Sequence, residues 1–430
     1  MRGLTVRMRD GSKDGLVRQL RRPPGGRDGR LMLLGTFVDR TGTGVWAAAS
    51  VLYFTFVTGL DGAQLGLLLG VSGIAGVAGS PLAGRLAAHL PVRTLLTGCH
   101  LLRLVAACSL LELDDYAALF PVVALLSIGD RAAKTLEMVF ATEAAGERRG
   151  VYQALSRSVA NAAYGLGAGL AAIGLAIGTH AAYQALILMN ALSFLAAALL
   201  TLRVNSTAHR PKSHQGGINS PTTTTPWRDR GYLLFVLLDV PMNLDDAILA
   251  VGLPLWLVHR TNAPHTLIPA FLVVNTAMVV LLQLRVTARF DGPAGALRAV
   301  TRYGLLTTVS CALIAVSGAG GAWFAAVALL AATVAVTLAE LMRSVCSWEL
   351  AVSLAPEHAR PAYLGVAGMS PSVARCVGPP VITAGVMAAG PLGWLGFAAG
   401  IAGLAVAQRR LCTSRLGRRA AVTREGLAVG

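Results

Sequence analysis

The sequence predicts an all-α membrane protein of twelve transmembrane helices, built as two pseudo-symmetric six-helix bundles. Three observations predict it. Of 430 residues, 54% are hydrophobic and only 13% charged, and mean hydropathy is +0.61, whereas a soluble domain carries about 25% charged residues. Long apolar runs recur twelve times, and Lys and Arg are confined almost wholly to alternate connecting segments. The same arithmetic excludes intrinsic disorder and a soluble nucleic-acid binder.

A bilayer-crossing helix needs about 20 mostly apolar residues. Such runs fall at roughly 32–58, 64–83, 94–111, 117–141, 151–177, 181–202, 232–257, 266–284, 302–318, 322–346, 362–388 and 391–408. They lack the alternation of β-barrel strands. Orientation follows from the basic residues. Nine of the 37 Lys and Arg precede residue 31 and six follow residue 408. Counting Arg157 and Arg343 with the adjoining segments, the termini and the loops on their side hold 31, and the opposite loops hold only Arg260. Both termini are therefore expected in the cytoplasm, with the protein multi-pass in the cell inner membrane.

The stretch Arg203 to Gly231 is rich in Pro, Gly, Ser and Thr and reads as a flexible linker. It gives a domain plan: a basic arm (1–30), a first half (31–203), the linker (204–231), a second half (232–409) and a basic tail (410–430). His209 and His214 read as solvated linker residues. Five cysteines lie inside apolar stretches and Cys412 in the tail, none at a metal-ligand spacing. Their expected role is as small buried apolar residues. No metal or cofactor is expected. The bases do not form an aromatic-interleaved domain, so the net charge of +16 does not point to nucleic acid.

The two halves repeat. Arg149-Gly-Val-Tyr152, opening span five, recurs as Arg360-Pro-Ala-Tyr363 before span eleven, and at the same offset Gly167-Ala-Gly169 falls on Gly378-Pro379-Pro380. The loop after span two, Gly84 to His89, precedes Leu284 to Arg289 by 200 residues. Shared order and a near-constant offset indicate a duplicated six-helix unit.

Twelve spans in six-plus-six halves around a central linker resemble the major facilitator superfamily, and the pattern is most similar to its actinobacterial drug- or metabolite-exporting members. The loop Gly84-Arg85-Leu86-Ala87-Ala88-His89-Leu90-Pro91-Val92-Arg93 resembles the family signature G-x-L-A-D-R-x-G-R-R. Ala88 replaces the acid, His89 the first Arg and Pro91 the Gly. In the family that acid forms a charge-linked latch between the halves. The resemblance therefore carries gating only to Gly84, His89 and Arg93, with Arg289 on the equivalent loop. Gly165, Gly167 and Gly169 in span five and Gly378-Pro379 in span eleven resemble the exporters' Gly-rich hinge, although plain helix packing explains glycines equally well. Arg131 stands where the family's drug–proton antiporters keep an Arg.

Charges inside a bilayer cost at least about 2.5–3.5 kcal/mol each, so they should face a cavity or a partner. Here they cluster: Asp39 and Arg40 in span one, Asp130, Arg131, Lys134 and Glu137 in span four, Asp239, Asp245 and Asp246 in span seven, and Glu340 and Arg343 in span ten. The resemblance implies that these four spans line one central cavity. Asp130, Lys134 and Glu137 share a helix face, as a self-neutralised ladder or as a polar wall touching substrate. Arg131 diverges by about 100° and is expected to find another partner, such as an acid of span one. Glu340 and Arg343 form an expected i,i+3 pair. Asp245 and Asp246 have no base in their own helix, and an unpaired, desolvated carboxylate favours its protonated form. Asp39, Asp239, Asp245, Asp246 and Glu137 are thus the proton-coupling candidates, with Asp39 foremost. Arg40, Asp130, Arg131, Lys134, Glu340 and Arg343 are the cavity candidates. Arg103 and Arg375 are expected to be structural, held by carbonyls or acids of neighbouring helices.

No phosphate-binding GxxxxGK[ST] occurs, nor HExxH or GxSxG, so neither ATP drive nor a membrane enzyme is indicated. The expected function is a secondary transporter working by alternating access. It would be a monomer in the lipid bilayer that exports a small amphipathic molecule, a drug or natural product, against the proton gradient. Proton-linked nutrient uptake and a transport-dead sensor are the alternatives.

Overall fold

The computed structural model describes residues 16–60, 62–113, 115–177, 179–205, 225–265 and 267–428. After a short helix Leu16–Arg21 come six passes: α1 (Gly26–Phe56), α2 (Gly62–Leu86), α3 (Val92–Ser109), α4 (Tyr116–Ala145), α5 (Arg149–Ile177) and α6 (His180–Leu202). Local chemistry sets their ends. Asp115 and Thr179 cap α4 and α6 by accepting the N–H of Ala118 and Ala182, each at 3.2 Å. Gly146, at φ 51°, ends α4 in a conformation few other residues adopt.

The second half has α7 (230–260), α8 (Leu267–Arg289), α9 (Gly292–Ser317), α10 (Ala322–Leu354), α11 (360–387) and α12 (Gly390–Ala428). Two of these passes are broken. In α7 the helix Arg230–Asp239 yields to a 3-10 turn Pro241–Asn243, a short turn Asp245–Ala247 and a π turn Ile248–Gly252 before Leu253–Arg260 resumes. Pro241 and Pro254 each remove a backbone donor. α11 passes from Arg360–Ala367 through Met369–Pro380 into a π segment Val381–Met387, directly after Pro379-Pro380. Among the described residues seven helices, α2, α4, α6, α8, α9, α10 and α12, are long and apolar enough by themselves to cross a membrane. The other five are broken or carry charges.

Several expectations need correction. Arg157 and Arg343, counted with the basic segments, lie inside α5 and α10. Helix α12 runs on to Ala428, through the stretch read as a basic tail, and Cys412 is fully buried. Cys108 and Cys376 are exposed rather than buried. The linker expectation, with His209 and His214, falls largely on 206–224, outside the described residues.

Within the first half α1 packs on α5 and α6, α2 on α4, and α3 on α4 and α6; within the second, α9 packs on α10 and α12, and α8 on α10. Across the halves α2 meets α11 and α5 meets α8. The α2–α11 crossing is tight. A Cβ on Gly84 would lie 2.6 Å from Pro361 O, and one on Gly365 2.9 Å from Gly84 Cα. Ser80 Oγ donates to Gly368 O across the same seam at 3.3 Å. This seam sits at the end that carries the basic loops. Beyond it lies a cavity lined mainly by the first half, with α11 alone from the second. Contrary to expectation, among the described residues α7 and α10 contribute nothing to it, nor do the cavity candidates Arg40, Lys134, Glu340 and Arg343.

Candidate functional site

The cavity, about 530 Å3, is walled by α1, α2, α3, α4, α6 and α11. Its apolar side includes Trp46, Leu69, Val123, Leu126 and Phe194, and its polar side Thr43, Arg103, Asp130, Arg131, Asn190 and Arg375. One charge cluster backs it in the first half. Asp39, fully buried, accepts from Arg103 Nη1 at 2.6 Å and lies 3.4 Å from Arg40 and 3.9 Å from His100 Nδ1. Arg103 also reaches Thr43 Oγ1 at 3.0 Å, and its guanidinium stacks 4.0 Å over the Phe194 ring. Arg40 bridges onward to Asp130 at 2.9 Å and to Glu137 at 3.1 Å. Lys134 completes Asp130 at 2.7 Å.

This network revises several expected pairings. Lys134 does join Asp130, but Glu137 takes Arg40 of α1, so the face is not a self-contained ladder. Arg131 does not reach an acid of α1; its nearest carboxylate is Asp130, its own neighbour, at 3.9 Å. Arg103 is indeed held by the acid of a neighbouring helix. Arg375, expected to be fixed likewise, is exposed to the cavity, with no hydrogen bond or ion pair among the described residues.

The second cluster centres on Arg343. It lies 2.7 Å from Asp245 and 3.3 Å from Asp246, and donates to Asn243 Oδ1 at 2.7 Å. Asp245 and Asp246 are therefore not unpaired: their base comes from α10, about one hundred residues along the chain. Glu340 is not paired with Arg343 either. It bonds Arg157 of the first half and Asn275 Nδ2 at 2.7 Å. Asp239 differs from all the others. Its donors are neutral: Ser347 Oγ at 2.6 Å, Asn243 Nδ2 at 3.0 Å and Gln408 Nε2 at 3.4 Å. Among the described intramembrane acids it alone has no base within 4 Å, and it is buried.

The expected gating loops behave unevenly. Gly84 forms the closest crossing of the halves. His89 is exposed, and neither it nor Arg93 nor Arg289 has an acid partner among the described residues. Ion pairs across the halves come instead from Arg149 with Glu349 at 2.9 Å, and from Arg157 with Glu340, the latter expected as a cavity residue. Of these four residues the sequence marks Arg149 through the repeat and Glu340 as an intramembrane acid; nothing in it points to Glu349. In α5, unbroken throughout, Gly167 is a packing residue, since a Cβ there would meet Thr41 O at 2.0 Å. Gly165 and Gly169 face open space. Of the hinge candidates, Gly378-Pro379 in α11 comes just before the π segment, and a Gly378 Cβ would touch Ala247 of broken α7 at 2.8 Å.

Comparison with known proteins agrees with this architecture. The family model "Major Facilitator Superfamily" matches residues 32–379. The chain belongs to that superfamily. It is a transporter rather than an enzyme. Among solved structures, a bacterial homologue of the iron transporter ferroportin in an outward-facing state superposes with a TM-score of 0.69 at 15% identity, covering 90% of this chain and 99% of that one. The superfamily transporter FucP in the outward conformation gives 0.69 at 13%, covering 89% and 98%. The human organic anion transporter MFSD10 (TETRAN) gives 0.62 at 15%, covering 91% and 100%. At these identities the likeness is one of fold. A comparison with curated proteins finds no match.

Proposed function

We propose that this superfamily member is a proton-driven exporter of a small amphipathic molecule working by alternating access. The basic end, which carries the termini and the linker ends, faces the cytoplasm on the positive-inside rule. The halves pack together at that end through the Gly84–Gly365 crossing, which supports reading the arrangement as outward-facing. Departure of the signature acid at Ala88 leaves Arg93 without its latch. The pairs Arg149–Glu349 and Arg157–Glu340 take over that task, holding the cytoplasmic end shut.

The observation that carries the coupling is Asp239. A buried charge without a counter-charge is costly, and a proton removes that cost reversibly. Asp39, foremost on sequence grounds, is instead locked by Arg103 and Arg40, which suits a structural strut. Asp239 also sits at the end of the first piece of α7, where the helix breaks. Binding or losing a proton there can move the α7 segment that bears Asp245, Asp246 and the contact with Gly378.

The test uses proteoliposomes with an imposed pH gradient and a fluorescent pH indicator inside. Amphipathic compounds that are substrates should dissipate the gradient through the wild-type protein. Asp239→Asn should abolish that proton movement while leaving compound binding intact. Undiminished substrate-driven proton flux in Asp239→Asn would place the coupling elsewhere.

A further inference from the structure

The cavity between the first half and α11 joins apolar walls to a charge balance that the ion-pair network does not close. Four charged residues line it: Arg103, Asp130, Arg131 and Arg375. Arg103 is consumed by Asp39 at 2.6 Å. Asp130 is consumed by Lys134 at 2.7 Å and Arg40 at 2.9 Å, which leaves Arg131 only a distant approach at 3.9 Å. Arg375 has no acid within 4 Å among the described residues. Asp246, within electrostatic reach of both arginines, already holds Arg343 at 3.3 Å. Two guanidinium groups therefore face the same space without a committed counter-charge, and each repels the other.

They also belong to different halves. Arg131 is on α4 and Arg375 on α11. A guanidinium presents a planar fork of donors that fits carboxylate, sulfonate or phosphate oxygens. The volume, about 530 Å3, suits a ligand of drug size, and Trp46, Leu126 and Phe194 offer it apolar contact.

We propose that the transported molecule is an amphipathic organic anion, whose acidic group bridges Arg131 and Arg375 while its apolar body lies against Trp46 and Phe194. This rests on the alternating-access reading above and assigns its substrate class. The two arginines give the anion a part in the cycle as well. Their mutual repulsion opposes a closer approach of α4 and α11. An anion between them replaces repulsion by attraction to both sides and lets the outer end close. A cation gains nothing from this arrangement.

Cys376, next to Arg375 and exposed in the same cavity, reports the local potential whatever the identity of the substrate. In the full chain carrying Cys99→Ala and Cys108→Ser, reconstituted in liposomes, its modification is timed with two thiol reagents added outside. One is the anionic methanethiosulfonate ethylsulfonate and the other its trimethylammonium counterpart, and both rates are normalised to a free thiol in solution. The anionic reagent should be favoured about tenfold. Arg131→Gln and Arg375→Gln should each reduce that preference severalfold, while Arg375→Lys should retain most of it. In the same protein 1-naphthoate should slow modification and 1-naphthylmethylammonium should not, with the protection weakened in Arg375→Gln. A preference for the cationic reagent, or a ratio unchanged by Arg375→Gln, overturns the anion assignment. Failure of alternating access would appear differently, as a Cys376 that reacts from the outer face and never from the cytoplasmic face, whatever the charge ratio.

Discussion

Arg103 Nη1 lies 2.6 Å from Asp39 Oδ1, joining α3 to α1 where both side chains are almost wholly buried. Removing one partner of a buried pair strands the other charge and costs about 3–5 kcal/mol. Arg103→Leu and Asp39→Leu should therefore each lower the melting temperature of the detergent-solubilised protein sharply. The double substitution should cost less than the sum of the two. Additive losses would show that the pair is not a unit.

The cytoplasmic seal makes a separate prediction. Gln153 shares a small cleft with Arg157 and Glu349, so Gln153→Cys reports opening at that end. Glu349→Gln breaks the bond to Arg149, a partly exposed pair worth up to about 1 kcal/mol. Alkylation of Gln153→Cys from the cytoplasmic face should rise about twofold to fivefold. An unchanged rate would mean that the pair does not hold the seal.

The helix crossing at Gly84 and Gly365 should be more sensitive than the ion pairs. A Gly365 Cβ would stand 2.8 Å from Ser80 O, and backbone cannot yield as a flexible side chain does. Overpacking of this kind costs about 1–3 kcal/mol, here against the closed cytoplasmic end alone. Gly365→Ala should thus shift the protein toward the inward-open form by about tenfold or more, read by the same reporter. Gly66→Ala, with nothing within 4 Å of its Cβ, is the control and should leave accessibility unchanged.

Outside the spans, Asp229 caps the start of α7 through Tyr232 N at 3.0 Å and holds Arg415 of α12 with both oxygens at 2.8 Å. Burial acts to raise its pKa, but the bonds from Arg415, Tyr232 and Tyr363 outweigh that and hold it below the ordinary 3.8. A carboxylate depressed in the folded state contributes stability that is full above its unfolded pKa and is lost as pH falls through the folded value. Asp229→Asn should melt below wild type at pH 7. The gap should narrow as pH drops below about 4. A gap independent of pH would mean that the charge of Asp229 is not what anchors α12.

Much of this protein is determined by the sequence alone. Twelve apolar runs and one-sided bases require a multi-pass helical bundle, because an unpaired backbone and exposed charges are both costly in lipid. The offset between Arg149-Gly-Val-Tyr152 and Arg360-Pro-Ala-Tyr363 reveals the duplication, and both tyrosines are buried. The placement of charge on α1, α4, α7 and α10 was equally visible. Which charge meets which was not, because helix periodicity relates residues three or four apart, whereas the deciding bonds join separate helices. Arg40 stays 3.4 Å from Asp39 and reaches on to Asp130 and Glu137. Arg343 turns from Glu340 to Asp245 and Asp246. Glu340 crosses to Arg157, and Asp239 is left with neutral donors only. Each side chain takes the partner that neighbouring helices bring within 4 Å. The tertiary structure thereby decided that Asp39 is held by bases and Asp239 only by neutral donors, and that Arg375, with no acid within 4 Å among the described residues, faces the cavity.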